Sequence, residues 1–407
     1  METYIGVERL RNRLEAKRTR VNLRYSYYEM KQLVMDLGIS TPPDLRFWMG
    51  ALGWTSKAVD SLADRLVFRE FENDNLGMAD IFAMNNQDVL IDSAILGALI
   101  SSCDFIYISK DGSEVKLQVI DGGNATGIMD PNTMMLKEGY AVLERDTSGK
   151  ILAEAHFIKG STIIYRNGLL AEIYNNSAPY PLLVPIVNRP DAKRPFGHSR
   201  ISRACMSIVN AAIRTAKRSE IAAEFYSYPQ KYISGLSQDA TMMDKWKATM
   251  SSMLAVEIDE NGNKPTLGQF QQASMSPHTE QLRMFAGLFA GETGLTLDDL
   301  GFPSQNPSSA EAIKASHENL RLTARKAQRD FSIGLLNAGY LAACVRDNTE
   351  YLRQMINLTK AKWEPVFEPD AAMLSVIGDG AIKINQSVPG FFGEENLRDL
   401  TGIEANS

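Results

Sequence analysis

An α+β fold is what this 407-residue sequence predicts, and three features predict it. Short alternating or continuous apolar runs, separated by glycine-containing turn pairs, fill residues 104–166. Helical periodicities in steps of three and four occupy residues 199–228 and 308–346. Pro179, Pro181, Pro185 and Pro190 punctuate an extended connector between these regimes, because proline lacks the N–H that a continuing helix needs.

The bulk numbers narrow the function classes. A chain of this length is expected to divide into two or three folding units. Its formal net charge of -6 excludes a molecule that is basic throughout, so any DNA contact must be local or weak. Cys103, Cys205 and Cys344 are odd in number and scattered, which suits a reduced compartment and no disulfide framework. The charged start, with Glu2, Glu8, Arg9, Arg11 and Arg13, is followed by no apolar run of signal-peptide type. The longest apolar stretch, Val89 to Ile100, contains Asp92 and is too short to span a bilayer. A soluble cytosolic protein, or one assembled in the cytosol, with no membrane partner, is expected.

The elements follow in order. Residues 8–24 carry seven basic and two acidic side chains; such a run is more often a solvated helix face than a nucleic-acid or partner patch. An amphipathic helix is expected over 25–38, ending at Gly38 before Pro42-Pro43, and another from Thr55 to Leu66. Gln87 to Ile100 forms an apolar helix. Strands are expected at Asp104–Ser109, Val115–Ile120, Gly139–Glu144, Leu152–Ile158 and Ser161–Arg166. Asp111-Gly112, Gly122-Gly123, Ser148-Gly149 and Asn167-Gly168 supply the turns. Residues 1–190 then read as one α+β unit.

Ser199 to Tyr228 is a long helix with Ile201, Cys205, Ile208, Ala212, Thr215, Ser219 and Ala222 on one face. Arg200, Arg203, Arg214 and Lys217 lie on the other. Residues 229–275 form a small insert, with a helix at Asp239–Leu254 and strands at Gln230–Ser234, Leu254–Ile258 and Thr266–Gln271. Ser276-Pro277 restarts a helix in N-cap and N1 positions, and it runs to about Ala290. Loop 292–307 is acidic in its first half through Glu292, Asp298 and Asp299. Ser308 and Glu311 fit a capping box for a third helix. Its apolar positions, Leu320, Ala324, Ala327, Phe331, Leu335, Ala338 and Ala342, persist to Arg346. A helix over 308–346 would measure roughly 55–60 Å, with Gly334 and Gly339 as kink points. The tail holds a strand at Lys362–Phe367 and helices near Asp370–Val376 and Glu394–Leu400.

Catalytic signatures are missing. The sequence has no G-x-x-x-x-G-K-[ST], no H-E-x-x-H and no G-x-S-x-G. His156, His198, His278 and His317 have no second ligand at metal-binding spacing. Asp298-Asp299 and Glu394-Glu395 are adjacent, and adjacent side chains diverge in extended chain. Neither an enzyme nor a cofactor is expected.

Several motifs, in order, resemble a known family. They are Val184-Pro185-Ile186-Val187-Asn188-Arg189-Pro190, then Phe196-Gly197-His198-Ser199-Arg200-Ile201 opening a helix, then Tyr228-Pro229-Gln230-Lys231-Tyr232-Ile233-Ser234-Gly235. Leu300-Gly301 and Asn306-Pro307-Ser308-Ser309-Ala310-Glu311-Ala312-Ile313 follow; Gly53-Trp54 with Val59-Asp60-Ser61-Leu62-Ala63-Asp64-Arg65-Leu66 precedes them. Over about residues 25–345 the chain resembles the siphovirus-type portal proteins of tailed double-stranded DNA phages. The resemblance implies a wing at 1–195, stem helices at 196–228 and 276–291, and a small α/β clip at 229–275. It further implies a tunnel loop at 292–307, a long wing helix at 308–346, and a wing strand with a short helical crown at 347–407.

The resemblance also implies a role. Family members form a homo-oligomeric ring, twelve-fold in the virion, at one capsid vertex. DNA is packaged and ejected through the ring, which docks terminase first and the head–tail connector or adaptor later. Major capsid and scaffolding proteins are further partners, during assembly in the host cytoplasm. Asp298, Asp299, Ser304, Gln305 and Asn306 become candidates to face DNA, the alternative being a plain solvated loop. Arg200, Arg203, Arg214 and Lys217 become candidates for DNA phosphates or a neighbouring subunit, the latter favoured because close-packed ring helices must neutralise buried charge. Lys231, Tyr232, Glu257 and Asp259 become clip residues for terminase or adaptor. Two competing readings stand beside this one: a capsid or connector component without a DNA tunnel, and a nucleic-acid enzyme using the basic helix 199–218.

Overall fold

A computed structural model describes residues 4–35, 50–227, 231–234, 266–269, 274–303, 315–367, 369 and 371–403. In chain order the elements are α1 (Val7–Tyr28), α2 (Trp54–Ala63), β1 (Phe68–Glu72), α3 (Met78–Met84), α4 (Gln87–Ser101), β2 (Cys103–Asp111) and β3 (Glu114–Ile120). Then come β4 (Ala125–Met129), β5 (Leu136–Arg145), β6 (Ile151–Ile158), β7 (Ser161–Arg166), β8 (Leu169–Asn175) and β9 (Leu183–Val187). Helix α5 (Arg203–Ser227), β10 (Lys231–Ser234), β11 (Thr266–Gln269) and α6 (Ser276–Thr293) follow. The chain closes with α7 (Glu318–Arg346), β12 (Lys360–Trp363), α8 (Ala371–Ser387) and α9 (Glu394–Thr401). Helix and sheet are thus mixed. No described helix is long and apolar enough to cross a membrane.

Two units divide the chain. The larger comprises residues 1–32, 53–206 and 290–407; the smaller comprises 33–52 and 207–289. The α+β unit expected over 1–190 is therefore not closed by itself. Strand β1 pairs antiparallel with β12, nearly 300 positions later, Glu72 opposite Lys360, and α7 packs on β9 and β2.

The larger unit contains an antiparallel sheet in the order β4-β5-β6-β7-β8 and a second in the order β3-β2-β9. Short-range turn chemistry explains the meander. Asn167 and Gly168 both take positive φ, 50° and 78°, as a type I′ hairpin turn requires. Pro185 is tolerated because β9 is an edge strand, bonded only to β2. Helix α4 is apolar on more than one side, and Leu90, Ile91, Ala94, Ile95, Ala98 and Leu99 are all buried.

The expectation at the end of α1 changes. The predicted helix over 25–38 is absent as such: α1 starts at Val7 and ends at Tyr28, with Met30 in the left-handed region at φ 57°. Residues 36–49 lie outside the described residues. In α7 every predicted apolar position from Leu320 to Ala342 is buried. Within α7, Gly334 and Gly339 are places of close approach. A Cβ at Gly334 would lie 2.6 Å from Ile186 Cδ1 and 3.1 Å from the Pro185 carbonyl oxygen; at Gly339 it would lie 2.6 Å from Met78 Sδ. Residues 304–314, including the predicted capping box, lie outside the described residues.

In the smaller unit, α5 and α6 are joined where Thr215 Oγ1 meets Gln281 Oε1 at 3.1 Å. Strands β10 and β11 pair antiparallel, Lys231 opposite Gln269 and Tyr232 opposite Gly268. The remaining insert elements, predicted at 239–258, lie outside the described residues.

Candidate functional site

The segment that leads into α5 is stapled to the core before the helix begins. Asn188 and His198 exchange bonds, the His198 N–H donating to the Asn188 carbonyl at 2.8 Å and Asn188 Nδ2 to the His198 carbonyl at 2.7 Å. Ser199 Oγ donates to the Ile100 carbonyl at 2.6 Å, and the Arg200 N–H donates to the Leu99 carbonyl at 2.8 Å. These bonds satisfy free carbonyls at the C-terminal end of α4 and set where α5 starts. They also account for a histidine–carboxylate pair that could be mistaken for catalytic machinery. His198 Nε2 and Asp191 Oδ2 are 2.6 Å apart at the surface and close the turn 191–198, while the Ser199 hydroxyl is committed to Ile100.

The four basic candidates on this segment and helix fare differently. Arg200 Nη2 donates to the Thr293 carbonyl and its Nε donates to the Ala58 carbonyl at 3.3 Å. Its guanidinium is thereby engaged by its own chain, and burial pulls its pKa down to about 10. Lys217 is buried, 5% exposed, and is not without a partner, although its periodicity assigned it to the polar face. Arg203 is exposed and Arg214 half-buried. The apolar face is also turned by about one residue from the prediction: Val209 and Ile213 are buried with Cys205 and Ala212, and Ile208 is not.

After α6 the chain makes a short 3-10 turn, Asp298–Leu300. Asp299 Oδ2 accepts the Thr296 N–H and hydroxyl, both at 2.9 Å, and the Asp299 N–H returns to Thr296 Oγ1 at 3.2 Å. This reciprocal capping is the local reason the turn forms. Asp299 is thus a half-buried cap, whereas Asp298 is exposed. Ser304, Gln305 and Asn306, and the clip candidates Glu257 and Asp259, lie outside the described residues. Lys231 and Tyr232 lie on β10. The structure therefore brings Arg200 to the end of α6.

One constellation escaped the sequence reading. Arg13, Lys17, Arg20 and Arg24, at steps of four, three and four on α1, line a cavity of about 300 Å³ together with Arg194. The spacing was visible, but only the fold closes Arg194 and Phe196 over it. Among the described residues, no group of three or more His, Cys, Asp or Glu side chains could hold a metal ion.

No protein-family model matches the chain. Two curated relatives do: the portal protein of Mycobacterium phage L5, 26% identical over 321 residues, and that of Mycobacterium phage D29, 26% identical over 322 residues. Each match covers 72% of this chain, and the chain spans 65% of the length of each relative. Among solved structures, a chain from the virion of a native gene transfer agent (GTA) particle is similar with a TM-score of 0.48, 14% identity, 87% of this chain and 90% of that chain covered. A chain from the neck of an empty GTA particle, computed with C6 symmetry, is similar with a TM-score of 0.49, 13% identity and the same coverage. The match to two portal proteins over 72% of the chain supports a phage portal protein.

Proposed function

We propose that the chain is a structural, non-enzymatic subunit of a portal ring at one capsid vertex, through which double-stranded DNA is packaged and ejected. The observation that carries this reading is the match to two portal proteins over 72% of the chain. In this reading twelve copies close a heterologous interface. The ring docks terminase during packaging in the host cytoplasm, then the head–tail connector in the virion, with capsid and scaffolding proteins around it.

The physical chemistry is compatible with passage of DNA. A conduit must not hold its cargo, because every neutralised phosphate adds a salt-dependent grip. A subunit with a net charge of -6 and an exposed Asp298 beside the 3-10 turn would repel the strand and let it slide. We place loop 292–307 at the bore, Arg203 and Arg214 toward DNA or a neighbouring subunit, and β10 with the insert at the terminase or adaptor face.

Negative-stain imaging of the purified chain tests the reading. The expected result is closed rings with a central hole that admits duplex DNA, and no nuclease or ATPase turnover. Particles with no hole, or with residues 292–307 labelled on the outer rim, would overturn it.

A further inference from the structure

The basic face of α1 is a site that the portal reading does not use. Arg13, Lys17, Arg20, Arg24 and Arg194 converge on one cavity of about 300 Å³, and no carboxylate lines it. Arg20 and Arg194 are exposed at its mouth; Arg13, Lys17 and Arg24 are half-buried.

These cations are not neutralised among the described residues. None of Arg13, Lys17, Arg20 and Arg24 has an ion pair there, and Arg13 Nε is buried without a hydrogen-bond acceptor. Arg24 Nη1 donates to the Ser101 carbonyl, a neutral partner. Lys17 lies over the Phe196 ring at 4.5 Å and Arg13 at 5.8 Å. That ring holds the two heads in place but carries no charge to offset theirs. Nearby acidic groups have other partners: Asp191 Oδ1 accepts the Arg194 backbone N–H at 2.7 Å and its Oδ2 meets His198. Asp121 binds the Gly123 N–H and Asn124 Nδ2 at 2.7 and 2.6 Å, and Asp104 is held by Ser101 Oγ and the Gly122 N–H, both at 2.9 Å.

Like charges three and four apart on a helix repel one another, and burial sharpens the repulsion. At Lys17, burial first and then the charges of Arg13 and Arg20 pull the pKa down to about 8. Arg24 is lowered by burial and by Arg20 and Arg194. Four guanidinium groups and an ammonium facing one concave, half-open space match the oxygens of a phosphate better than one carboxylate, because several planar donors can bond different oxygens at once.

We propose that this cavity is a binding site for a phosphate-bearing polyanion, a pyrophosphate-sized group seated between α1 and the 194–197 turn. The group could be a free small phosphate compound or the phosphodiester backbone of nucleic acid.

The test is calorimetric titration of the full chain with pyrophosphate at low salt. The wild type is compared with Lys17→Gln/Arg20→Gln and, on a separate element, with Arg194→Gln. Saturable binding that weakens about tenfold or more in both variants is expected, the loss of one or two charge-assisted bonds. Far-UV circular dichroism keeps the comparison to folded protein. Competition by a short oligonucleotide then identifies backbone phosphate as the source, and its failure to compete identifies a free phosphate compound. Absence of wild-type binding, or equal affinity in all three proteins, overturns the proposal. So does loss of ring assembly in the variants with pyrophosphate affinity unchanged, which would assign the cations to carboxylates of a second copy. Ring imaging of the wild type is a separate readout, so failure of the portal reading would leave this result standing.

Discussion

Glu138 on β5 and His156 on β6 meet at 2.8 Å on the buried face of the five-stranded sheet, and the same carboxylate accepts the backbone N–H groups of Ile5 and Gly6 at 2.7 and 2.9 Å. Tyr140 lies directly opposite His156, so Glu138 and His156 are diagonal neighbours on one face. Farther along that face Tyr140 Oη donates to Glu154, which also accepts from Arg11 Nε at 3.2 Å. Leu10, Leu14, Tyr140 and Val142 pack as a buried cluster between these polar groups. A polar ladder thus docks the start of α1 on the sheet and orients the adjacent basic face of the helix.

Removing the Glu138 carboxylate should therefore loosen α1. Glu138→Ala leaves His156 and two backbone N–H groups without their acceptor in a buried place, and a loss of about 3 kcal/mol is expected. Urea unfolding measures it, with hydrogen exchange at residues 5–14 as the local probe. An unchanged midpoint and unchanged exchange would show that the ladder contributes nothing to docking.

The two glycines of α7 should separate under alanine substitution, although alanine favours helix by about 1 kcal/mol in an exposed site. At Gly334 the new methyl group meets the Pro185 carbonyl oxygen at 3.1 Å as well as Ile186 Cδ1, and main chain does not step aside. At Gly339 it meets Met78, whose Sδ at 2.6 Å can swing aside although its Cβ at 3.1 Å cannot. Gly334→Ala is expected to cost about 2 kcal/mol and Gly339→Ala less than about 1. Thermal melting of both variants checks the order, and the reverse order would contradict this packing.

Arg200 should behave as a structural fastener. Arg200→Ala removes the donors that tie the Ala58 and Thr293 carbonyls together and should cost about 2 kcal/mol. Arg200→Lys should recover little, because one ammonium cannot reproduce a forked donor set aimed at two carbonyls. Stability curves for the two variants settle the point: full rescue by lysine would mean that only charge matters there.

Asp104 should leave a signature in the pH dependence of stability. Burial, assisted by the charge of Asp121 and opposed by bonds from Ser101 and Gly122, raises its pKa from 3.8 to about 8. Between those values the folded state keeps a proton that the unfolded state has released. Stability then falls as pH rises through that window and is level above it. The slope is at most about 1.4 kcal/mol per pH unit. Asp104→Asn cannot titrate, so its stability should gain on the wild type from about pH 4 to 8. Unfolding free energies of the pair across pH 4–9 provide the check, and parallel curves would refute it.

Much of this architecture was legible residue by residue. Helix α4 and strands β2, β3, β5, β6 and β7 fall within a few residues of their predicted bounds, because apolar period and glycine turn pairs act over a handful of positions. The buried stripe of α7 was legible for the same reason. Strands β1, β4, β8 and β9 were not. All seven residues of β8 are exposed, so no alternation marks it, and β9 carries Pro185 and is apolar throughout, which reads equally as a connector.

Local sequence determined the mixed helix and strand content, the turn positions and the ordered motifs that resemble portal proteins. Tertiary structure alone decided that β1 joins β12, that Gly334 is a place of close contact, and that Lys217 is buried. It also decided that Arg200 fastens backbone, while Arg13, Lys17, Arg20 and Arg24 face a cavity with Arg194. The division has a physical cause: periodicity and turn chemistry depend on neighbours within a few residues, whereas the environment of a charge depends on segments that folding brings from far along the chain.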